Sequence, residues 1–146
     1  MKIGIASDHQ GYTKKEKIIN HLKKIGYDVI DYGTNDEKSV DHPVYAFKLC
    51  EDVENSVEKG ILLCGTGIGM SIAANKVKGI RCAKVSSVNE ARLSREHNNA
   101  NVIAMSASMP LFKMKKVINT FLTTNFLNEE KYIKRNKMVD DYVTKL

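Results

Sequence analysis

The fold is decided by the stretch Ile61-Leu62-Leu63-Cys64-Gly65-Thr66-Gly67-Ile68-Gly69-Met70-Ser71. The apolar residues before the cysteine predict a buried strand, and the segment 72–76 after the glycines predicts a helix. The backbone N–H groups of a glycine-rich loop, together with the positive end of a helix dipole, favour anions and stabilise a neighbouring thiolate. Cys64 is therefore a candidate reactive cysteine that handles a phosphate or an enolate. The alternative interpretation is a buried cysteine beside a tight turn.

Short apolar strands alternate with amphipathic helical segments along the whole chain. The predicted strands are 2–6, 27–31, 60–64, 79–85 and 100–105. The predicted helices are 14–25, one that begins at Pro43, 69–77, 87–96, 110–122, and a last helix from an N-cap at Asn128 to about residue 145. Ile18, Leu22 and Ile25 share the inward face of the first helix. We expect a single α/β domain over residues 1–146, a three-layer Rossmann- or flavodoxin-like fold with a five-stranded parallel sheet and a C-terminal helix.

Composition narrows the function classes. The 146 residues carry a formal net charge of +6 at pH 7, with 7% aromatic residues and no tryptophan. We expect a phosphorylated small molecule rather than a nucleic acid as partner, because no basic motif is interleaved with aromatic residues. Lys131 and Arg135, four residues apart, share a helix face that either stays solvated or clamps a phosphate dianion. No apolar run approaches the ~18–20 residues that span a bilayer, and the amino-terminal residues read as a strand, so we expect a cytoplasmic protein without a membrane partner.

Cysteine usage argues against two further classes. Cys50, Cys64 and Cys82 form no CxxC pair and leave an odd residue, which argues against a disulfide framework and a zinc ribbon. We interpret Cys50 and Cys82 as core residues of a helix and a strand.

The glycine loop also fits no nucleotide motif. Met70 stands where a dinucleotide fingerprint has its last glycine and a tyrosine-phosphatase loop its arginine, and no Lys-Ser/Thr pair follows as in a Walker A loop.

Other polar residues fall in loops next to the predicted strands. Asp8 and His9 follow the first strand, at the edge where ligands gather in parallel α/β folds. Asp8 either caps the next helix or, with His9, moves protons and binds a sugar hydroxyl and a phosphate. His42 lies in a loop before the second helix, and its role is open. His97 and Asn98 lie between the fourth helix and the fifth strand, where Asn98 could simply turn the chain.

Taken together, these residues resemble the type B ribose-5-phosphate isomerases, within the wider ribose/galactose-6-phosphate isomerase family. The resemblance covers nearly the full length and depends on the order and spacing of several motifs. They are Ile-Ala-Ser-Asp8-His9-Gln-Gly11, Asp31-Tyr-Gly33-Thr34, Asp41-His-Pro43-Val-Tyr45-Ala46, Leu-Cys64-Gly65-Thr66-Gly67-Ile-Gly69-Met-Ser-Ile-Ala-Ala-Asn75-Lys76, Gly79-Ile-Arg81 and Leu93-Ser-Arg95-Glu-His97-Asn98-Asn-Ala-Asn101-Val. The family interconverts an aldose phosphate and a ketose phosphate without a metal. The resemblance implies this activity on ribose 5-phosphate and ribulose 5-phosphate, in the pentose phosphate pathway, with no metal or other cofactor.

The resemblance also implies a role for each candidate residue. Cys64 is the base that moves a proton between C1 and C2 through an enediolate. His97, with Thr66 and Asp8 nearby, helps to open the furanose ring, and Asn98 binds a sugar oxygen. The developing oxyanion is stabilised by the backbone N–H groups of the loop, which are those of Gly65, Thr66, Gly67, Ile68 and Gly69.

Phosphate binding is implied for His9, Lys131 and Arg135, and substrate contact for Ser108. The family often has arginines at the positions of Ser108 and Lys131, and a lysine keeps the charge but loses the bidentate fork. A tyrosine is common at the position of His42.

Each site of the family forms between two subunits. The resemblance therefore implies a homodimer, or a tetramer of paired dimers, in which His97 and Asn98 reach the partner's site. Two other functions stay open. One is a hexose 6-phosphate isomerase of the same family, acting on galactose or allose 6-phosphate, and the other is a non-catalytic phosphate-binding module.

Overall fold

A parallel sheet forms the centre of the protein, whose computed structural model describes residues 1–142. The strands are β1 (Lys2–Ser7), β2 (Asp28–Asp31), β3 (Lys59–Cys64), β4 (Cys82–Lys84) and β5 (Val102–Ser106). The helices are α1 (Tyr12–Lys24), α2 (His42–Cys50), α3 (Ile68–Ala74), α4 (Val88–Glu96), α5 (Leu111–Thr123) and α6 (Glu130–Asp141). The strands pair in parallel in the order β2-β1-β3-β5-β4, which confirms the predicted five-stranded sheet.

A layer of helices covers each face of the sheet. Successive side chains of a strand point to opposite faces, so Ile61 and Leu63 pack with α1, α4 and α5, whereas Leu62 and Cys64 pack with α2 and α3. The three-layer architecture is therefore confirmed. Because both faces are covered, the central strands read as continuous apolar runs. Cys64 ends β3 on the side of α2 and α3.

Local signals set several of the helix ends. Gly26, with φ of 101°, follows the last turn of α1 in a conformation that glycine adopts without strain. Pro43 stands in the first turn of α2, where its missing N–H leaves no bond unmade. Ser87 caps α4, because its side-chain oxygen accepts the Glu90 N–H at 3.1 Å. These signals place α2 and α4 so that their first turns lie at the carboxyl edge of the sheet.

Three local predictions are wrong. Ile25 is 51% exposed, because α1 ends one residue earlier and its apolar stripe ends with it. Asn128 does not cap the last helix, because it adopts a left-handed φ of 58° and α6 begins at Glu130. The fourth strand is shorter than predicted. Gly79 has a positive φ of 82°, so the backbone is not extended where the strand was predicted to begin. Pairing with β5 covers only Cys82–Lys84.

The described part of the chain ends just after α6. The prediction of a helix to about residue 145 falls partly on residues 143–146, which lie outside the described residues. Within residues 1–142, no helix combines the length and the apolar character needed to cross a membrane.

Candidate active site

Three loops meet at the carboxyl edge of the sheet, after β1, β3 and β5. The Asp8 N–H donates to the Leu63 carbonyl at 3.1 Å, which ties the first loop to the second. The Ala107 N–H donates to the Cys64 carbonyl at 2.8 Å, which ties the third loop to the second. The backbone around Cys64 is therefore held from both neighbouring strands.

The Cys64 sulfur lies against a backbone donor of its own loop. Its side chain is buried, with 5% of the residue exposed, and Sγ accepts the Gly67 N–H at 3.1 Å. Gly67 adopts a left-handed φ of 80°, and a Cβ there would lie 2.9 Å from the Met105 carbonyl carbon. Only glycine fits this turn, and the turn aims the N–H at the sulfur. The Gly67 N–H is thus a donor in direct contact with the sulfur, and such a hydrogen bond is stronger when its acceptor carries a negative charge.

The other two cysteines have different surroundings. Burial raises the pKa of the Cys50 thiol to about 12 and also raises the pKa of the Cys82 thiol. Cys50 is buried as predicted, whereas Cys82 is half-buried against the same core cluster. Both are therefore poor nucleophiles at neutral pH.

The Thr66 side chain stabilises the start of α3. Its Oγ1 accepts the Ile68 N–H at 3.1 Å, which satisfies a donor of the first helical turn. The Thr66 hydroxyl keeps its own proton for another acceptor, and the side chain is exposed. Among residues 1–142, the Thr66 N–H has no hydrogen-bond acceptor. The loop thus presents an O–H and an N–H donor within two residues of Cys64.

The side chains of Asp8 and His9 both accept hydrogen bonds from backbone N–H groups. Asp8 Oδ1 accepts the Gln10 and Gly11 N–H groups at 3.0 and 3.1 Å, so Asp8 closes the turn before α1, whose N-cap is Gly11, and does not cap the helix itself. His9 Nδ1 accepts the Val40 N–H at 3.1 Å. That contact assigns the proton of the neutral ring to Nε2, which is then a donor suited to a phosphate oxygen.

His97 and Asn98 lie at the opposite, amino edge of the sheet, before β5. The His97 ring stacks on Tyr132 of α6, with ring centroids 4.5 Å apart and an interplanar angle of 17°. Asn136 Nδ2 donates to the His97 carbonyl at 3.1 Å, and Arg81 Nε donates to the Asn98 carbonyl at 3.1 Å. These contacts fix the turn that carries the two residues against α6.

Lys131 and Arg135 lie one turn apart on α6, as their spacing predicts, and both are exposed. The Lys131 ammonium lies 4.9 Å from the centre of the Tyr132 ring and 3.8 Å from Glu129 Oε2. Since Tyr132 also stacks on His97, the two cations belong to the same region of the surface as His97.

The candidate residues thus form two groups at opposite edges of the sheet. The carboxyl-edge cluster consists of Asp8, His9, Cys64, Gly65, Thr66, Gly67, Ile68, Gly69 and Ser108. The amino-edge cluster consists of His97, Asn98, Lys131 and Arg135. The five residues of β5 separate the edges by about 16 Å at ~3.3 Å per residue. One chain therefore does not bring His97 near Thr66 and Asp8.

Each edge also has a cavity. A cavity of about 520 Å³ beside the loop is lined by Gly65, Thr66, Lys84, Ser86, Ser106, Ser108 and Lys113, among others. A groove of about 650 Å³ at the amino edge is lined by Asn75, Lys76, Arg81, Asn98, Asn136 and Asp140, among others. No group of three or more His, Cys, Asp or Glu residues within 1–142 is placed to hold a metal ion.

The chain is similar to known proteins over nearly its whole length. A family model described as Ribose/Galactose Isomerase matches residues 3–139. The chain belongs to the ribose/galactose isomerase family. The ribose-5-phosphate isomerase B of Escherichia coli is 42% identical over 118 residues, which are 80% of this chain and 79% of that protein. Family membership makes this protein an aldose–ketose isomerase.

Solved structures of the family share the fold. The ribose-5-phosphate isomerase B of Clostridium thermocellum matches with a TM-score of 0.94 and 43% identity, over 97% of this chain and 96% of that one. The ribose 5-phosphate isomerase of Thermotoga maritima matches with a TM-score of 0.93 and 43% identity, over 97% and 98%. The predicted type B resemblance is therefore confirmed.

Three side chains of the isomerase reach the loop without having been assigned a role from sequence. A Cβ at Gly69 would lie 2.7 Å from His42 Nε2, and a Cβ at Gly65 would lie 2.3 Å from Gln10 Oε1, so these side chains lie over the two glycines. Ser106 Oγ donates to the Gly65 carbonyl. His42, predicted to lie in a loop, is the first residue of α2. In the sequence, His42 stands where the family commonly has a tyrosine and Gln10 belongs to the motif of Asp8 and His9, whereas no pattern indicated Ser106.

Proposed function

We propose that this isomerase interconverts ribose 5-phosphate and ribulose 5-phosphate, with Cys64 as the base that moves the proton. The Gly67 N–H at 3.1 Å from Cys64 Sγ carries the proposal, because it places a backbone donor against a thiol at the edge where parallel α/β folds bind ligands. The relatives that are named as ribose-5-phosphate isomerases support this choice of substrate. We place the enzyme in the cytoplasm, as a single domain over residues 1–146.

The proton transfers balance within the substrate. The Cys64 thiolate takes the proton from C2 of the open-chain aldose, and the C1 oxygen becomes the oxyanion of an enediolate. Loop donors such as the Thr66 N–H stabilise that negative charge as it develops. The thiol then returns its proton to C1 while the O2 hydroxyl proton passes to O1, which leaves a carbonyl at C2.

The remaining roles are divided between the two clusters. In the carboxyl-edge cluster, His9 donates to the phosphate through Nε2, and Asp8 and Thr66 contact the sugar. In the amino-edge cluster, His97 assists ring opening, Asn98 binds a sugar oxygen, and Lys131 and Arg135 hold the phosphate. A charged donor to a phosphate oxygen is among the stronger hydrogen bonds of proteins.

We place the complete site between two copies of the chain. The two clusters lie at opposite edges of one sheet, so the amino-edge cluster of one copy has to face the carboxyl-edge cluster of the other. Exposed apolar side chains next to both clusters support such an interface. Ile68 and Ile72 of α3, and Met138 and Val139 of α6, are each more than half exposed.

The test is conversion of ribose 5-phosphate in the presence of EDTA by the wild type, Cys64→Ala and Cys50→Ala. We expect turnover by the wild type and by Cys50→Ala, and none by a folded Cys64→Ala. Turnover by Cys64→Ala would contradict the role of Cys64. If the folded wild type converts galactose or allose 6-phosphate instead, the substrate is a hexose. If it converts no sugar phosphate but binds one, the protein is a binding module.

A further inference from the structure

Two serines after β5 tie the loop of Cys64 to the sheet. Ser106 Oγ donates to the Gly65 carbonyl oxygen at 2.7 Å. Ser106 Oγ itself lies 2.6 Å from Ser108 Oγ and accepts the Ser108 N–H at 3.1 Å. A hydroxyl has a single proton, and Ser106 gives its proton to the carbonyl, so Ser108 Oγ must donate to Ser106 Oγ. The hydrogen bonds therefore run in one direction, from Ser108 to Ser106 to Gly65.

This direction changes the role expected of Ser108. Its hydroxyl proton is taken by Ser106 Oγ, so the lone pairs alone face the cavity. A phosphate dianion needs donors, and an oxygen that offers only lone pairs repels it. Ser108 in this arrangement supports the loop instead of binding the phosphate.

The hydrogen bond to Gly65 sets the direction of one peptide plane. The Gly65–Thr66 peptide is trans, so its C=O and N–H groups point in opposite directions. Because the carbonyl points toward Ser106, the Thr66 N–H points away from β5, and it has no acceptor among residues 1–142. We infer that Ser106 and Ser108 are positioning residues that hold the Thr66 N–H ready for the enediolate oxyanion. This inference rests on the proposed function.

The orientation of the Gly65–Thr66 peptide depends on a side-chain hydrogen bond from Ser106. The groups on either side of this peptide are held by backbone N–H groups instead. The Cys64 carbonyl is held by the Ala107 N–H, and Thr66 Oγ1 is held by the Ile68 N–H. Among residues 1–142, the Gly65 carbonyl has Ser106 Oγ as its hydrogen-bond donor. Since glycine has no Cβ, rotation of this plane costs little once that bond is lost.

The experiment compares Ser106→Ala with Ser106→Thr, which keeps the hydroxyl, and with Ser86→Ala, which removes a hydroxyl from the same cavity. We expect Ser106→Ala to lower kcat on ribose 5-phosphate about 10- to 100-fold, below the ~100- to 1,000-fold effect of deleting a donor outright. KM should stay within about twofold, because the oxyanion forms only after binding. Ser106→Thr should recover most of the activity, and Ser86→Ala should match the wild type.

Two inhibitors separate positioning from a general disturbance of the site. A planar hydroxamate analogue of the enediolate should bind Ser106→Ala about 10- to 100-fold more weakly than it binds the wild type, by the same oxyanion argument. A pentitol 5-phosphate, which has no carbonyl, should bind both equally. If Ser106→Ala keeps the wild-type kcat, or if both inhibitors bind it more weakly by the same factor, the inference is overturned and the proposed function still stands. A wild type with no isomerase activity would overturn the proposed function and the inference together.

Discussion

The substitution Gly67→Ala is predicted to damage catalysis through one hydrogen bond. An alanine at the φ of 80° costs about 1–2 kcal/mol. Its Cβ would also lie 2.9 Å from the backbone of Met105 in β5, which is paired on both sides, so the loop rather than the strand must move. That movement breaks the N–H contact to Cys64 Sγ, and a hydrogen bond to a charged group contributes about 1.5–3 kcal/mol. At about 1.4 kcal/mol per tenfold, kcat should fall about 10- to 150-fold.

Gly26→Ala is the matched control. Gly26 also has a positive φ, of 101°, but no atom lies within 4 Å of a Cβ built there. Both variants should lose about 1–2 kcal/mol of unfolding free energy in urea, and Gly67→Ala somewhat more, while only Gly67→Ala loses kcat on ribose 5-phosphate. The reasoning is refuted if kcat of Gly67→Ala stays within twofold of the wild type, or if Gly26→Ala loses as much.

Three further predictions concern separate parts of the protein. Arg135→Ala should raise KM for ribose 5-phosphate about tenfold and change kcat little, because the phosphate is held equally in substrate and transition state; an unchanged KM removes Arg135 from the site. Asp31→Asn should lower the unfolding free energy by about 2–3 kcal/mol in urea titrations, because the fully buried Lys15 ammonium loses a carboxylate at 2.8 Å; a loss below about 0.5 kcal/mol contradicts this. Iodoacetamide at pH 7.5 should label Cys64 well before Cys50, whose pKa is about 12, as read by peptide mass spectrometry; equal labelling rates contradict it.

Much of the fold was predictable because its signals are local. The run 61–64 is apolar on both faces, which is typical of a central parallel strand, and the glycines after it indicate a turn into a helix. Errors arose at the ends of helices, which residue type and helical period do not fix to the residue. Asn128 has the residue type of an N-cap, yet the backbone there is left-handed and the helix starts two residues later. Ile25 fits the helical period but lies just past the last turn.

The candidate site was only partly predictable. Cys64 and the glycines are adjacent in sequence, so their contact follows from local geometry. The contacts of His42 with Gly69 and of Ser106 with Gly65 join residues 27 and 41 positions apart, and no local pattern indicates them. The opposite positions of the two clusters do follow from the predicted order of elements, because Cys64 ends a strand whereas His97 and Asn98 precede one in the same parallel sheet.

The most direct test of the account mixes two inactive variants. Cys64→Ala removes the base from the carboxyl-edge cluster, and His97→Asn removes the ring-opening residue from the amino-edge cluster. If each site is shared between two copies, a mixed dimer keeps one intact site. Random exchange of equal amounts, by dilution and reconcentration, should then restore about a quarter of the wild-type activity on ribose 5-phosphate. Activity that stays at the sum of the two separate variants, with subunit exchange confirmed by native mass spectrometry, would contradict the shared site.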